Sequence, residues 1–168
     1  MTAADVAEIL GWLRAARVDV WLDGGWGVDA LVGEQTRDHK DLDVIVRDSH
    51  EARMREGLGD HGFTQVRGVP QNFVCADETG REVDVHPVRF DDRGDGHLLS
   101  ADGEPFGHSS EAFAAVGRIL GTGVACLSAA AQMANHSWGY TPGGTDVHDM
   151  RLLHDRFGTR LLPPYSST

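Results

Sequence analysis

Asp41 and Asp43 stand two residues apart in the run D-L-D-V-I-V. On a β-strand alternate side chains leave the same face, so both carboxylates would project together, roughly 6–7 Å apart along the chain. Two such charges repel unless a cation lies between them, and Mg²⁺, a hard ion that prefers oxygen ligands, suits the pair. Alone, Asp-x-Asp also fits a solvated edge strand. Leu42 and Val44 to Val46 argue for a buried strand, where unpaired carboxylates are expensive. A third carboxylate, Asp84, sits in R-E-V-D-V-H-P-V with Val83 and Val85 on the opposite face and His86 on its own. From the strand alone, Asp84 is either paired structurally or chemically active. Three strand-borne carboxylates are what two-metal phosphoryl transfer uses. Two place cations along a triphosphate, and the third binds metal or accepts the proton of an attacking hydroxyl.

Upstream, D-G-G-W-G reads as a glycine turn whose backbone N–H groups could approach a phosphate chain. Arg37, His39 and Lys40 place positive charge just before the acidic strand, where it could neutralise departing pyrophosphate or simply form a solvated, mixed-charge loop. A different chemistry is conceivable from His39, Asp41, Asp84 and His86, a His/carboxylate hydrolase site for Zn²⁺ or Fe. No H-E-x-x-H or similar tight ligand motif supports it. His136, His148 and His154 lie in a stretch of helical character and could line a substrate pocket.

The elements needed to position these groups follow from periodicity. Thr2 to Ala16 predicts a helix with Thr2 and Asp5 as a capping box and Val6, Ile9, Leu10 and Leu13 on one face. Val18 to Leu22 predicts a short strand stopped by Gly24-Gly25, and Trp26 to Val32 one or two helical turns closed by Gly33. Asp41 to Val46 is a strand and Asp48 to Asp60 a helix. Phe63 to Val66, Asn72 to Ala76 and Glu82 to Phe90 are further strands, followed by an irregular excursion from Asp91 to Gly107. Beyond it the composition turns helical, with caps expected at Ser128 and Asp146 for helices reaching Trp138 and Phe157. The expected architecture is α+β: a mixed sheet with helices packed on it plus a short C-terminal helical segment. Residues 1–107 would form the catalytic core, 108–162 the helical segment and 163–168 a disordered tail.

The 168 residues allow one domain, or a core with a small appendage. With 15 basic and 26 acidic residues the formal charge is -11. That speaks against a nucleic-acid binder, which needs a basic surface, and is compatible with a cationic small molecule. Cys75 and Cys126 form no C-x-x-C motif or disulfide framework, so a reducing cytoplasm is the expected compartment. Charged residues near the start argue against a signal peptide, and no run approaches the ~18–20 apolar residues of a membrane span.

G-G-W-G-V-D-A-L-V-G-E-Q-T-R-D-H-K-D-L-D followed by V-D-V-H-P-V resembles the small antibiotic nucleotidyltransferases of the polymerase-beta-like superfamily. The lincosamide nucleotidyltransferases are the nearer branch and the aminoglycoside 2''-adenylyltransferases the next. C-L-S-A-A-A-Q-M-A-N-H-S-W-G-Y and D-V-H-D-M-R-L-L extend the likeness from about Val20 to Leu153. The resemblance implies the nucleotidyltransferase fold and an enzyme that transfers AMP from Mg²⁺-bound ATP, or another nucleoside triphosphate, to an antibiotic hydroxyl, with resistance as the outcome. It implies that Asp41 and Asp43 bind Mg²⁺, with Asp84 as third ligand and general base. Gly24 and Gly25 would approach the triphosphate, with Arg37 and Lys40 nearby, and Asp29 would be structural or at the substrate edge. Lys40 replaces an acidic residue common in relatives, and Asn72 stands near an expected arginine, which bears on the acceptor more than on the reaction. A small core with a short helical tail also suggests a homodimer whose partner completes the acceptor pocket. The alternatives are an aminoglycoside acceptor and a nucleotide-binding protein without catalysis.

Overall fold

Thr2 opens the first helix as its neighbours predict. Its hydroxyl accepts a hydrogen bond from the Asp5 N–H at 3.2 Å, and the Asp5 carboxylate accepts one from the Thr2 N–H at 2.7 Å. This box heads α1 (Ala3–Ala15), whose Val6, Ile9, Leu10 and Leu13 are buried. The computed structural model describes residues 1–99, 105–138 and 141–167.

The chain then builds a mixed sheet of nine strands among the described residues. They are β1 (Val20–Leu22), β2 (Asp41–Arg47), β3 (Thr64–Val69), β4 (Asn72–Ala76), β5 (Glu82–Phe90), β6 (Gly96–Leu99), β7 (Pro105–His108), β8 (Ala115–Ile119) and β9 (Thr122–Cys126). The order is β3-β4-β5-β2-β1-β9-β8, with β6 and β7 extending from β5 as a hairpin. β2 runs parallel to β5, and β1 parallel to β9; the other pairs are antiparallel. Helices α2 (Gly24–Val32), α3 (Glu51–Gly59), α4 (Ala129–His136) and α5 (Gly144–Phe157) complete the α+β architecture.

One face of the sheet carries the main core. Leu42, Val44 and Val46 of β2 and Val83 and Val85 of β5 pack there with Ile9 and Leu13 of α1 and Met54 and Leu58 of α3. Strand alternation therefore sends Asp41, Asp43, Asp84 and His86 to the other face. There Ile45 and Val88 meet Leu127 and Ala131 at the start of α4. A separate cluster of Val28, Met133, Met150 and Leu153 welds α2, α4 and α5 together. The C-terminal helices are thus held over the acidic face.

Several expected boundaries move. Gly24 and Gly25 do not stop the chain ahead of a helix; they form the first turn of α2, because Asp23 caps it. α3 begins at Glu51 after a 3-10 turn over Asp48–His50. Ser128 caps α4 as expected, whereas α5 begins at Gly144, two residues before Asp146, whose carboxylate accepts from the Gly143 N–H at 2.7 Å. The excursion expected over Asp91 to Gly107 contains β6 and β7, although residues 100–104 lie outside the described part. The helical character expected from residue 108 holds only beyond Ser128, since β8 and β9 intervene and join the central sheet. The tail expected to be disordered contains Tyr165, which is buried and donates its hydroxyl to the His136 carbonyl at 2.6 Å. Thr168 lies outside the described residues.

Candidate active site

Parallel pairing of β2 with β5 sets Asp43 directly opposite Asp84. Ligand atoms of Asp43, Asp84 and His86 all lie within 4.8 Å of one another. Asp41 is half-buried one step along the same face and lines the adjoining cavity, but stands outside this tight group. Burial, then the charges of Asp41, Asp23 and Asp84, push the Asp43 carboxyl well above the ordinary carboxylate range. Burial also raises Asp84; His86 opposes that shift and Asp41 adds to it. The Oδ1 atom of Asp84 is buried with no hydrogen-bond partner. Carboxylates that repel one another this strongly, with a histidine beside them, fit a divalent metal ion.

His86 flanks the cluster. Its Nε2 is 3.6 Å from Asp84 Oδ1, and its Nδ1 is 3.4 Å from the side-chain nitrogen of Asn72. His39, the other histidine considered for a hydrolase centre, is engaged elsewhere. Its Nε2 pairs with the buried Asp29 carboxylate at 2.5 Å, and Asp29 also accepts from the Thr36 hydroxyl at 2.5 Å. The four-residue His/carboxylate centre does not assemble, and Asp29 anchors the loop ahead of β2.

The glycines are explained by what surrounds them. Gly24 has φ +58°, and a Cβ there would collide with the Asp43 carboxylate. At Gly25 a Cβ would strike the His39 ring and the Arg37 guanidinium. Both residues line a cavity of about 280 Å³ together with Arg37, Asp41 and Asp43. The start of α2 therefore packs directly against Asp43, His39 and Arg37, with the cavity beside them, and a helix start presents N–H groups suited to an anion. Asp23 fixes this geometry. One carboxylate oxygen accepts from the Gly24 N–H and the other from the Asn135 amide of α4, each at 2.9 Å.

Arg37 reaches the cavity from an irregular loop and is held by the buried Asp149 of α5, with N···O distances of 2.9, 3.2 and 2.6 Å. Lys40 is exposed. His136 lines the same cavity, whereas His148 lies on an outer face of α5 and His154 bonds the Thr159 carbonyl. Sequence reasoning missed Asp23, Asn135 and Asp149. Asp23 had a legible signal, since an Asp before Gly-Gly and an apolar run is a helix cap; the other two depend on long-range packing. A second hollow of about 200 Å³ shares Asp23 and Asn135 with the first, touches His86, and is walled by Ile45, Leu98, Phe106 and Trp138. The Phe106 and Trp138 rings stack with centroids 5.4 Å apart.

The chain matches the aminoglycoside-2''-adenylyltransferase family over residues 5–153. It is 30% identical over 154 residues to a lincosamide resistance protein of Staphylococcus haemolyticus, spanning 91% of this chain and 94% of that one. The crystal structure of the lincosamide antibiotic adenylyltransferase LnuA with lincomycin bound superposes with a TM-score of 0.80 at 30% identity, covering 91% of this chain and 96% of that one. The antibiotic-resistance factor ANT(2'')-Ia shares the fold, with a TM-score of 0.71 at 18% identity over 91% of this chain and 82% of its own. The fold and these relatives define the protein as a nucleotidyltransferase, an enzyme that uses a nucleoside triphosphate and a divalent cation. It belongs to the aminoglycoside-2''-adenylyltransferase family, and the match spans the stretch from G-G-W-G to D-L-D that carried the resemblance to antibiotic nucleotidyltransferases. No helix among the described residues is long and apolar enough to cross a membrane.

Proposed function

We propose that the protein transfers AMP from Mg²⁺-ATP to a hydroxyl of a lincosamide and releases pyrophosphate, so conferring resistance. The observation that carries this reading is the juxtaposition of Asp43 and Asp84 on neighbouring strands, with Asp41 and Asp43 lining a cavity shared with the start of α2. Asp41, Asp43 and Asp84 would hold Mg²⁺, which when bound supplies the positive charge that the triphosphate and the carboxylates both require. The start of α2 at Gly24 and Gly25 lets the phosphates approach closely, Arg37 orients them, and Lys40 adds charge from the rim. Asp84 accepts the proton of the acceptor hydroxyl as that oxygen attacks the α-phosphorus. Its raised basicity suits that role.

The choice of acceptor rests on the second hollow. Ile45, Leu98, Phe106 and Trp138 offer an apolar wall beside His86, and Asp23 is the acidic residue that touches it. An amphipathic acceptor with one basic centre matches that wall, whereas a polycationic aminoglycoside would want several carboxylates there. The family match nevertheless keeps an aminoglycoside as the alternative to test. Cytoplasmic ATP and the free, buried thiols of Cys75 and Cys126 support action inside the cell. A homodimer would close the open side of the acceptor hollow, and a monomer mass in size-exclusion chromatography would remove that element.

The test is pyrophosphate release from ATP and from GTP with Mg²⁺, against panels of lincosamides and aminoglycosides, with Asp84→Asn as control. Release that requires a lincosamide and disappears in Asp84→Asn is the expected result. Release with aminoglycosides alone would move the acceptor. Triphosphate binding without turnover on any acceptor would replace catalysis with a binding role.

A further inference from the structure

Arg37 is paired with a carboxylate withdrawn from solvent on a distant helix. Asp149 is 1% exposed, lies on α5, and is 112 residues away in sequence. It takes the Arg37 Nε–H and one Nη2–H side-on, while one Nη1–H goes to the Asp38 carbonyl at 3.0 Å. A guanidinium has five N–H groups, so two remain for the cavity that Arg37 lines beside Gly25. Side-on pairing fixes the plane and direction of the group, which one flexible side chain on an irregular loop could not do alone. Gly25 completes the arrangement, since any Cβ there would collide with the guanidinium.

We infer that Asp149 is a positioning residue of the nucleotide site: it holds Arg37 so that its two remaining N–H groups meet the triphosphate, and it makes α5 part of the phosphate-binding machinery. This rests on the nucleotidyl-transfer reading but does not depend on the acceptor. Asp149 acts through Arg37 and touches no substrate. Losing it would free the guanidinium to swing, so the cost falls on phosphate affinity and leaves the affinity for the acceptor alone unchanged.

Calorimetric binding of ATP and of inorganic tripolyphosphate, without acceptor, to the wild type, Asp149→Asn, Arg37→Gln and the double variant tests the inference. Asp149→Asn should weaken both ligands about tenfold, the scale of one well-placed charge-assisted contact, and should add nothing further in the Arg37→Gln background. Equal weakening in both backgrounds, or none in the wild-type background, would overturn it. Should Asp149→Asn fail to fold, the Arg37 Nε–H resonance of the wild-type protein decides, assigned by its absence in Arg37→Lys. It should stay protected from solvent exchange when tripolyphosphate binds; release of that proton would mean that Arg37 leaves Asp149 to reach phosphate, contrary to the inference. A wild type that binds neither ligand would sink the proposed function as well, whereas binding that is indifferent to Asp149 would sink this inference alone.

Discussion

Two pairs of carboxylates, Asp29 with Asp149 and the less deeply buried Asp43 with Asp84, are treated in opposite ways. Asp29 and Asp149 are each given a base of the chain's own, His39 and Arg37. Asp43 and Asp84 are set against each other and against Asp41, with His86 at 3.6 Å as the nearest compensation. Burying a charge beside a partner builds structure, whereas burying charges beside their like stores an unmet demand for a cation. The first group holds the loop that carries Arg37, and the second is the one proposed to take the cation.

The comparison predicts substitutions of opposite sign. Asp84→Asn should reduce turnover by about 10³-fold, since in the proposed mechanism it removes both a metal ligand and the base. The same change should raise the melting temperature of the metal-free protein by relieving repulsion. Pyrophosphate release and a thermal melt on one preparation check both halves, and a lower melting temperature would mean that Asp84 has a structural partner. Arg37→Gln strands Asp149 without its cation and should cost about 3 kcal/mol of stability. That is the low end for a broken buried pair because the Arg37 side chain is 24% exposed. Urea unfolding measures it, and a loss below experimental error would erase the distinction between the two groups.

A divalent ion sharpens the contrast further. Saturating Mg²⁺ or Mn²⁺ should raise the melting temperature of the wild type, by about 2.7 kcal/mol of apparent stability at a hundredfold excess over the dissociation constant. The increment should vanish in Asp43→Asn and survive in Arg37→Gln. An increment lost equally in both would place the ion away from the strand carboxylates.

The strand carboxylates and Asp29 were legible in the sequence and Asp149 was not, for a physical reason. Asp41, Asp43 and Asp84 sit on strands whose apolar alternation declares both burial and face, so a charge among them is conspicuous locally. Asp149 lies on a helix with ordinary charged neighbours, and only tertiary packing brings it to Arg37. His39 read as positive charge in the loop before the acidic strand, whereas it pairs with Asp29, buried on α2. The β8–β9 hairpin escaped because its turn is Leu120-Gly121, both at positive φ, where Asn-Gly would have signalled the two-residue loop. Val116 and Leu120 point outward, and Gly117 takes an inward position where a Cβ would strike the Ala30 backbone. Apolar residues outside and a glycine inside hide a strand's alternation.

The smallest expected effect comes from a third, fully satisfied carboxylate and fixes the sign of the pH dependence. Burial would raise Asp77, but bonds from the side chains and N–H groups of Thr79 and Arg81 outweigh it and lower the group from 3.8 to about 2. A depressed folded-state value means that Asp77 contributes stability above about pH 4, and that this contribution is lost as the pH falls through about 2. Asp43 and Asp84 are raised, so in cation-free buffer their contribution is present at low pH and is lost as the pH climbs. Melts of wild type and Asp77→Asn from pH 2 to pH 5 isolate the Asp77 share. Their difference should be largest at pH 5 and shrink toward pH 2, because only the wild type carries a carboxylate there whose bonds need its charge. A difference that grew on acidification would mean that Asp77 belongs with the unmet carboxylates instead.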